Sequence, residues 1–233
     1  MFQERHYTTS AIKNFIFKKY GGIAGGCTQR IIIHLGDTGF YVNTDILFSL
    51  GNKTVDILKI SGANIKNIKP TGSLNFDVIW NNAEKIETPK IDIIYIAGND
   101  LESFGLDANY INNYYKQLNW LKELSNDFPN LKIVIKHHET NKHVDKRELK
   151  IIENTKIERV VSTKAGKINY SYGYAINSKI RLTWCSTMAY ELLGHNIPCY
   201  FLDPNYENKA FLHDYDYNKF WRIDTYSKLK KKI

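Results

Sequence analysis

The sequence predicts an α/β protein: a doubly wound parallel sheet over residues 89–233, preceded over residues 1–88 by the truncated end of a second α/β domain. Three observations predict it. Between Ile91 and Leu202, five short β-branched runs alternate with four helical segments, a pattern that calls for right-handed crossovers and a sheet covered on both faces. Before Pro89, the runs Arg30–Gly36, Thr44–Gly51 and Val55–Gly62 read as strand, strand end and helix, too few for a doubly wound domain of their own. Between these parts lies NNAEKIETPK (Asn81–Lys90), polar and proline-bearing, the composition of a linker.

The elements of the larger part follow in order. IDIIYIAG (Ile91–Gly98) is a β-branched run ended by glycine, a buried strand. Ile111, Tyr114, Tyr115, Leu118, Leu121 and Leu124 then recur at helical spacing as one apolar stripe, which Pro129 and Asn130 end. LKIVIK (Leu131–Lys136) is the second strand, Asp145 caps a short helix through DKRELKII, and IERVVS (Ile157–Ser162) is the third strand. A short aromatic helix, INYSYGYAI (Ile168–Ile176), leads to the fourth strand KIRLTW (Lys179–Trp184). TMAYELLG (Thr187–Gly194) is a helix and IPCYFL (Ile197–Leu202) the fifth strand. GGIAGG (Gly21–Gly26) fits neither a P-loop nor a dinucleotide-binding spacing and reads as a flexible loop.

Composition narrows the function classes. No apolar run approaches the ~18–20 residues of a membrane span, and the start MFQERHYTTS lacks the apolar core of a secretory signal, which favours the cytoplasm. The three cysteines, Cys27, Cys185 and Cys199, have no CxxC spacing, which speaks against a disulfide framework or a thiolate zinc site. The net charge of +8 suits an anionic partner. The lysines are spread, however, and the dense run KLKKK (Lys228–Lys232) reads as a solvated helix end. Without a basic stripe or a known motif, nucleic acid is not the expected partner.

In an open parallel sheet, ligands bind beyond the carboxyl ends of the strands. There the sequence places Lys136-His137-His138-Glu139, Ser162-Thr163-Lys164 and Cys185-Ser186-Thr187. Histidines, hydroxyls and a lysine on one edge are the chemistry of a phosphate or diphosphate site. Ser186 or Thr187 stands at a helix N-terminus, either as an anion site or as a plain cap. Glu191 lies about one turn further along, in reach of a ribose or sugar hydroxyl or of a surface lysine. His137 and His138 are strand neighbours, so one faces the crevice and the other packs under a helix. A histidine there serves as a base, stabilises a departing phosphate, or is structural. His34 ends an upstream strand beside Gly36 and is a further candidate base.

The stretch Ser171–Asp203 resembles the donor-binding half of GT-B-type glycosyltransferases of bacterial surface-carbohydrate and capsule biosynthesis, and is similar to the CDP-glycerol glycerophosphotransferases. The likeness rests on a Tyr-rich helix, a strand, an S-T-x-x-x-E helix and a strand-opening proline, here Tyr172, Ser178, Ser186, Thr187, Glu191 and Pro198. Asn196 stands where glycine commonly ends that helix; Asn tolerates the left-handed conformation. The strand end Lys136-His137-His138 resembles a Lys-x-His-Pro element, with Glu139 at the proline position.

The resemblance implies a metal-independent transferase without cofactor, moving a sugar or polyol phosphate from a nucleotide-activated donor to a glycan or lipid-linked acceptor. It also implies peripheral association with the inner membrane face. Donor binding falls to Ser186, Thr187, Glu191, His137, Thr163 and Lys164; His138 steadies the leaving group and His34 is the acceptor-side base. Two alternatives stand beside it: a nucleotide-sugar epimerase, which shares this architecture, and a non-catalytic nucleotide-binding remnant.

Overall fold

The computed structural model describes residues 2–3, 8–27, 43–52, 55, 58, 63–82, 89–97, 108–137, 145–161, 169–184, 186–204 and 218–233. The chain divides into two compact units, Met1–Val78 and Ile79–Ile233.

The C-terminal unit is built on six strands: β5 (Ile91–Ile96), β6 (Ile133–His137), β7 (Glu158–Val161), β8 (Ser178–Thr183), β9 (Tyr200–Leu202) and β10 (Arg222–Ile223). All pair in parallel, in the order β10-β9-β8-β5-β6-β7. Counted from the first of them, that is the 3-2-1-4-5-6 order of doubly wound nucleotide-binding sheets, with its switch point between β5 and β8. The five longer strands and the helices between them coincide with the sequence reading to within a few residues. β10 is an addition: two residues carry no pattern of their own, and the strand exists because Arg222 and Ile223 register against Phe201 and Leu202.

The connecting helices are α3 (Ala108–Asp127), α4 (Lys146–Ile152), α5 (Asn169–Ile176) and α6 (Thr187–Gly194), with the short α7 (Asn218–Trp221) and α8 (Tyr226–Lys230) at the end. The stripe of α3 packs as its spacing demands. Tyr114, Tyr115, Leu118, Leu121 and Leu124 join Ile93, Tyr95, Ile133, Ile135 and Leu182 in one buried cluster, with Ile111 at its margin. Each such aliphatic side chain contributes about 1.5–3 kcal/mol on burial. Asp145 caps α4 as expected, accepting from the backbone N–H of Arg147 and Glu148 at 2.8 and 3.2 Å.

The N-terminal unit contains a four-stranded parallel sheet in the order β1-β2-β3-β4: β1 (Phe2–Gln3), β2 (Gly25–Cys27), β3 (Asn43–Ser49) and β4 (Asn64–Pro70). Helix α1 (Thr8–Lys19) lies between β1 and β2, and α2 (Leu74–Trp80) runs across the boundary between the units. The glycine-rich stretch is not the flexible loop expected from its composition. Gly21, at φ +84°, ends α1 in a left-handed turn closed by Gly21 N–H to Lys18 O and Gly22 N–H to Phe17 O. Gly25 and Gly26 then form a strand paired on both sides, anchored where the Asp45 carboxylate accepts the Ala24 N–H at 2.9 Å. The strand β4, NIKNIKP, is polar because it is the sheet edge; exposed Lys66, Lys69 and Pro70 blunt that edge against further pairing.

Candidate functional site

At the switch point, β5 and β8 lie side by side with Ile96 registered against Thr183. The crossovers leave them in opposite directions, which opens a crevice beyond their carboxyl ends. Thr183 is buried there and its hydroxyl donates to the Ile96 carbonyl at 2.8 Å, tying the two strand ends together. The chain leaves β8 through buried Trp184 and enters α6 three residues later, at Thr187.

Ser186 occupies the N-cap position of α6, with extended backbone (φ −145°, ψ 132°). Its carbonyl starts the helix by accepting the Ala189 N–H at 3.1 Å, yet its hydroxyl makes no capping bond. A serine at this position ordinarily satisfies one of the first free N–H groups. Here hydroxyl and helix N-terminus are both half-exposed and directed to no cap, the combination that anions use. Thr187 begins the helix and is likewise half-exposed.

Glu191 follows Thr187 by four residues, so the two share a helix face. Glu191 is buried, and its Oε2 accepts the Tyr172 hydroxyl at 2.6 Å. Tyr172 comes from α5, and burial, then the Glu191 charge, pushes its ionisation far above the ordinary phenol range. The helix behind it is clamped at its C-terminus. Ser178 Oγ donates to Tyr174 O at 2.5 Å, and the buried Arg181 guanidinium donates to Ala175 O and Ile176 O at 2.5 and 2.8 Å. At the other end of α6, Asn196 sits at φ +59° and closes the helix through Asn196 N–H to Leu193 O and Ile197 N–H to Leu192 O. The Asn196 substitution for glycine is therefore accommodated, as Asn chemistry allows.

His137 ends β6 with its ring buried, its Nε2 2.7 Å from Glu148 Oε1 on α4. The same oxygen accepts Arg159 Nε of β7 at 2.8 Å, and Oε2 accepts the Tyr114 hydroxyl at 2.7 Å. His137 is thus part of an internal network that ties β6, α3, α4 and β7 together. His138, His34, Thr163 and Lys164 lie outside the described residues, as do Glu139 and Cys185.

The structure brings together Ser186, Thr187 and Glu191. It adds Thr183 and Tyr172, neither of which the sequence reading gave a site role; Tyr172 entered there only as part of the Tyr-rich helix of the resemblance. A threonine at the carboxyl end of β8 was the available signal for Thr183. Nothing local pointed from Tyr172 to Glu191, since the pair is 19 residues apart.

No family model matches the chain, and no curated protein matches it by sequence. Solved structures do. The chain is similar to one from Listeria monocytogenes described as a UDP-N-acetylglucosamine 2-epimerase (13% identity, TM-score 0.61, 89% of this chain and 57% of that one). It is similar to S. aureus MnaA solved with UDP (12%, 0.60, 89% and 59%). A third is the Methanocaldococcus jannaschii UDP-GlcNAc 2-epimerase in complex with UDP-GlcNAc and UDP (16%, 0.59, 98% and 66%). The chain therefore spans 57% and 59% of the length of the first two. These likenesses overturn the expectation of a surface-glycan glycosyltransferase in favour of its epimerase alternative, and nothing in them supports kinship with the CDP-glycerol glycerophosphotransferases. What they establish is the fold: the parallel α/β, GT-B-like architecture of nucleotide-sugar enzymes.

Proposed function

We propose that the chain binds a UDP-sugar at the carboxyl edge of its six-stranded sheet and acts on it as a nucleotide-sugar epimerase, inverting a carbon of the bound sugar without passing it to an acceptor. The observation that carries the binding half is Ser186, a serine at a helix N-terminus at the sheet's switch point whose hydroxyl caps nothing. In this reading the diphosphate takes the Ser186 and Thr187 hydroxyls and the first N–H groups of α6. Each charge-assisted bond of that kind is worth about 1.5–3 kcal/mol. Glu191, held by Tyr172, accepts a ribose hydroxyl. Uridine, and epimerisation over transfer, are supported by what the similar solved structures are and hold.

Inverting a carbon that carries hydrogen takes a base and an acid. His138 and His34 are the candidates on sequence position, with Thr163 and Lys164 as further phosphate ligands. His137, engaged with Glu148, supports the strand that leads to His138.

Two experiments test the reading. A thermal-shift panel of CMP, CDP, UDP, GDP and ADP should single out UDP; ligand at ~100 times its dissociation constant adds about 2.7 kcal/mol of stability. Incubation with UDP-GlcNAc alone, followed by proton NMR, should show the 2-epimer forming with no acceptor present. Turnover that begins only when an acceptor is added would overturn the epimerase reading. UDP binding without turnover would leave a nucleotide-binding module, and no nucleotide response would reduce Ser186 to a structural position.

A further inference from the structure

Helix α1 is amphipathic the wrong way round for a helix that only packs on its own sheet. Asn14 is buried to 1% exposure, and Lys18, one turn on, reaches inward to Asn43 Oδ1 at 2.9 Å and Asp45 Oδ1 at 3.6 Å. The outward face carries Ile12, Phe15 and Ile16 at 54%, 61% and 50% exposure. They are spaced i, i+3, i+4, which lines them along one side of the helix. The apolar exposure continues beyond the helix at Tyr20 (84%) and Ile23 (71%). Single exposed hydrophobics need no explanation; a row of them on the side of a helix that buries its asparagine marks a surface made for a partner.

The charge around this row identifies the partner. Lys13 and Lys19 are exposed on the same helix, and the sequence from Arg5 to Gly36 contains no aspartate or glutamate. A second copy docking face to face would set the same lysines against each other with no carboxylate on the helix to answer them. An anionic bilayer answers both features: the apolar side chains enter the headgroup boundary, and the lysines extend to the lipid phosphates. We propose that the outward face of α1, centred on Ile12, Phe15 and Ile16 and flanked by Lys13 and Lys19, is a docking surface for an anionic lipid membrane. This is surface attachment; among the described residues no helix is long and apolar enough to cross a membrane.

The test uses the full chain, because its readout does not depend on the nucleotide site. Co-sedimentation with phosphatidylglycerol-rich vesicles should carry the protein down, and pure phosphatidylcholine vesicles should carry much less. Phe15→Ser with Ile16→Ser should weaken the partitioning roughly tenfold or more with an unchanged thermal midpoint, because both side chains already face solvent. Lys13→Gln with Lys19→Gln should abolish the preference for the anionic vesicles while leaving the fold untouched. The proposal falls if the wild-type chain stays in solution with anionic vesicles, or partitions equally into both kinds. It falls equally if the Phe15/Ile16 variant binds as well as the wild type, or if that variant instead dissociates a dimer present in solution.

Discussion

Removing the Glu148 carboxylate should unsettle the C-terminal unit more than any surface change. Glu148 is 1% exposed and accepts from His137 Nε2 at 2.7 Å, the Tyr114 hydroxyl at 2.7 Å and Arg159 Nε at 2.8 Å. Glu148→Ala leaves these groups facing a void, and breaking a buried ion pair in this way costs about 3–5 kcal/mol. For a unit of this size, that lowers the thermal midpoint by roughly 6–20 °C. Glu148→Gln keeps the volume and one acceptor oxygen and should cost about 2 kcal/mol. All four tryptophans of the chain lie in this unit, so urea unfolding followed by tryptophan fluorescence reports on it.

The pH dependence follows from the same geometry. Burial pushes the Glu148 carboxyl up, but the hydrogen bond and charge of His137, with the Tyr114 and Arg159 donors, outweigh it and hold the group below its ordinary value of 4.5. A carboxyl depressed in the folded state contributes stability that is complete above the unfolded value and fades as pH falls through the folded one. The gap between wild type and Glu148→Ala should therefore stay constant from neutral pH down to about 4.5 and narrow below it. A variant within about 1 kcal/mol of wild type, or a gap that widens on acidification, would refute the reasoning.

Three further outcomes are expected. Ser186→Ala should weaken UDP binding about tenfold or more yet leave the ligand-free midpoint in place, since the hydroxyl caps nothing; a lower midpoint with unchanged UDP affinity, measured by calorimetry, would return Ser186 to a capping role. Tyr172→Phe should erode discrimination between UDP and 2′-deoxy-UDP, because Glu191 loses the 2.6 Å bond that orients it; equal discrimination in titrations of both proteins would remove Glu191 from the ribose. In the N-terminal unit, the hydrogen bond from Lys66, the Ala24 N–H and the nearby Lys18 lower the Asp45 carboxyl to about 2. Its contribution is present above the ordinary value of 3.8 and lost as pH falls toward about 2. Asp45→Asn should thus speed amide exchange at Ala24 near neutral pH, with a difference from wild type that shrinks as pH falls through that range.

Much of the C-terminal unit was legible because its signals are local. Strands buried on both faces are written as unbroken β-branched runs, the α3 stripe repeats at helical spacing, and Asp145 precedes its helix by one residue. What could not be read depends on partners far along the chain. β10 has two residues and takes its register from β9. β2 contains two glycines and is a strand because β1 and β3 flank it. β4 is polar because it is an edge. Adjacent histidines at a strand end must face opposite ways, but only Glu148, 11 residues on, decides that the His137 ring turns inward. The orientation of α1 is likewise set by the fold, with Asn14 inside and Phe15 outside.

That the proposed function is epimerisation and not the transfer first expected has a physical reason in the proposed site. In the reading proposed above, the Ser186-Thr187 helix start, Glu191 and the Tyr-rich α5 form a handle for a nucleotide diphosphate, and any reaction that begins with such a donor can use that handle. Their spacing follows from the geometry of a strand turning into a helix at a switch point, and this is shared by enzymes that move the sugar and enzymes that invert it. The reaction is decided at the sugar end, by which groups give and take protons and whether an acceptor can enter. Such groups carry no spacing rule, because each reaches the sugar from a different loop. On that reading, motifs of the Ser186–Glu191 kind speak for the nucleotide and are silent on the chemistry. Replacing His138 or His34 while following the UDP response and UDP-GlcNAc turnover separately is the measurement that divides the two: a proton-transfer residue should lose turnover and keep the thermal response to UDP.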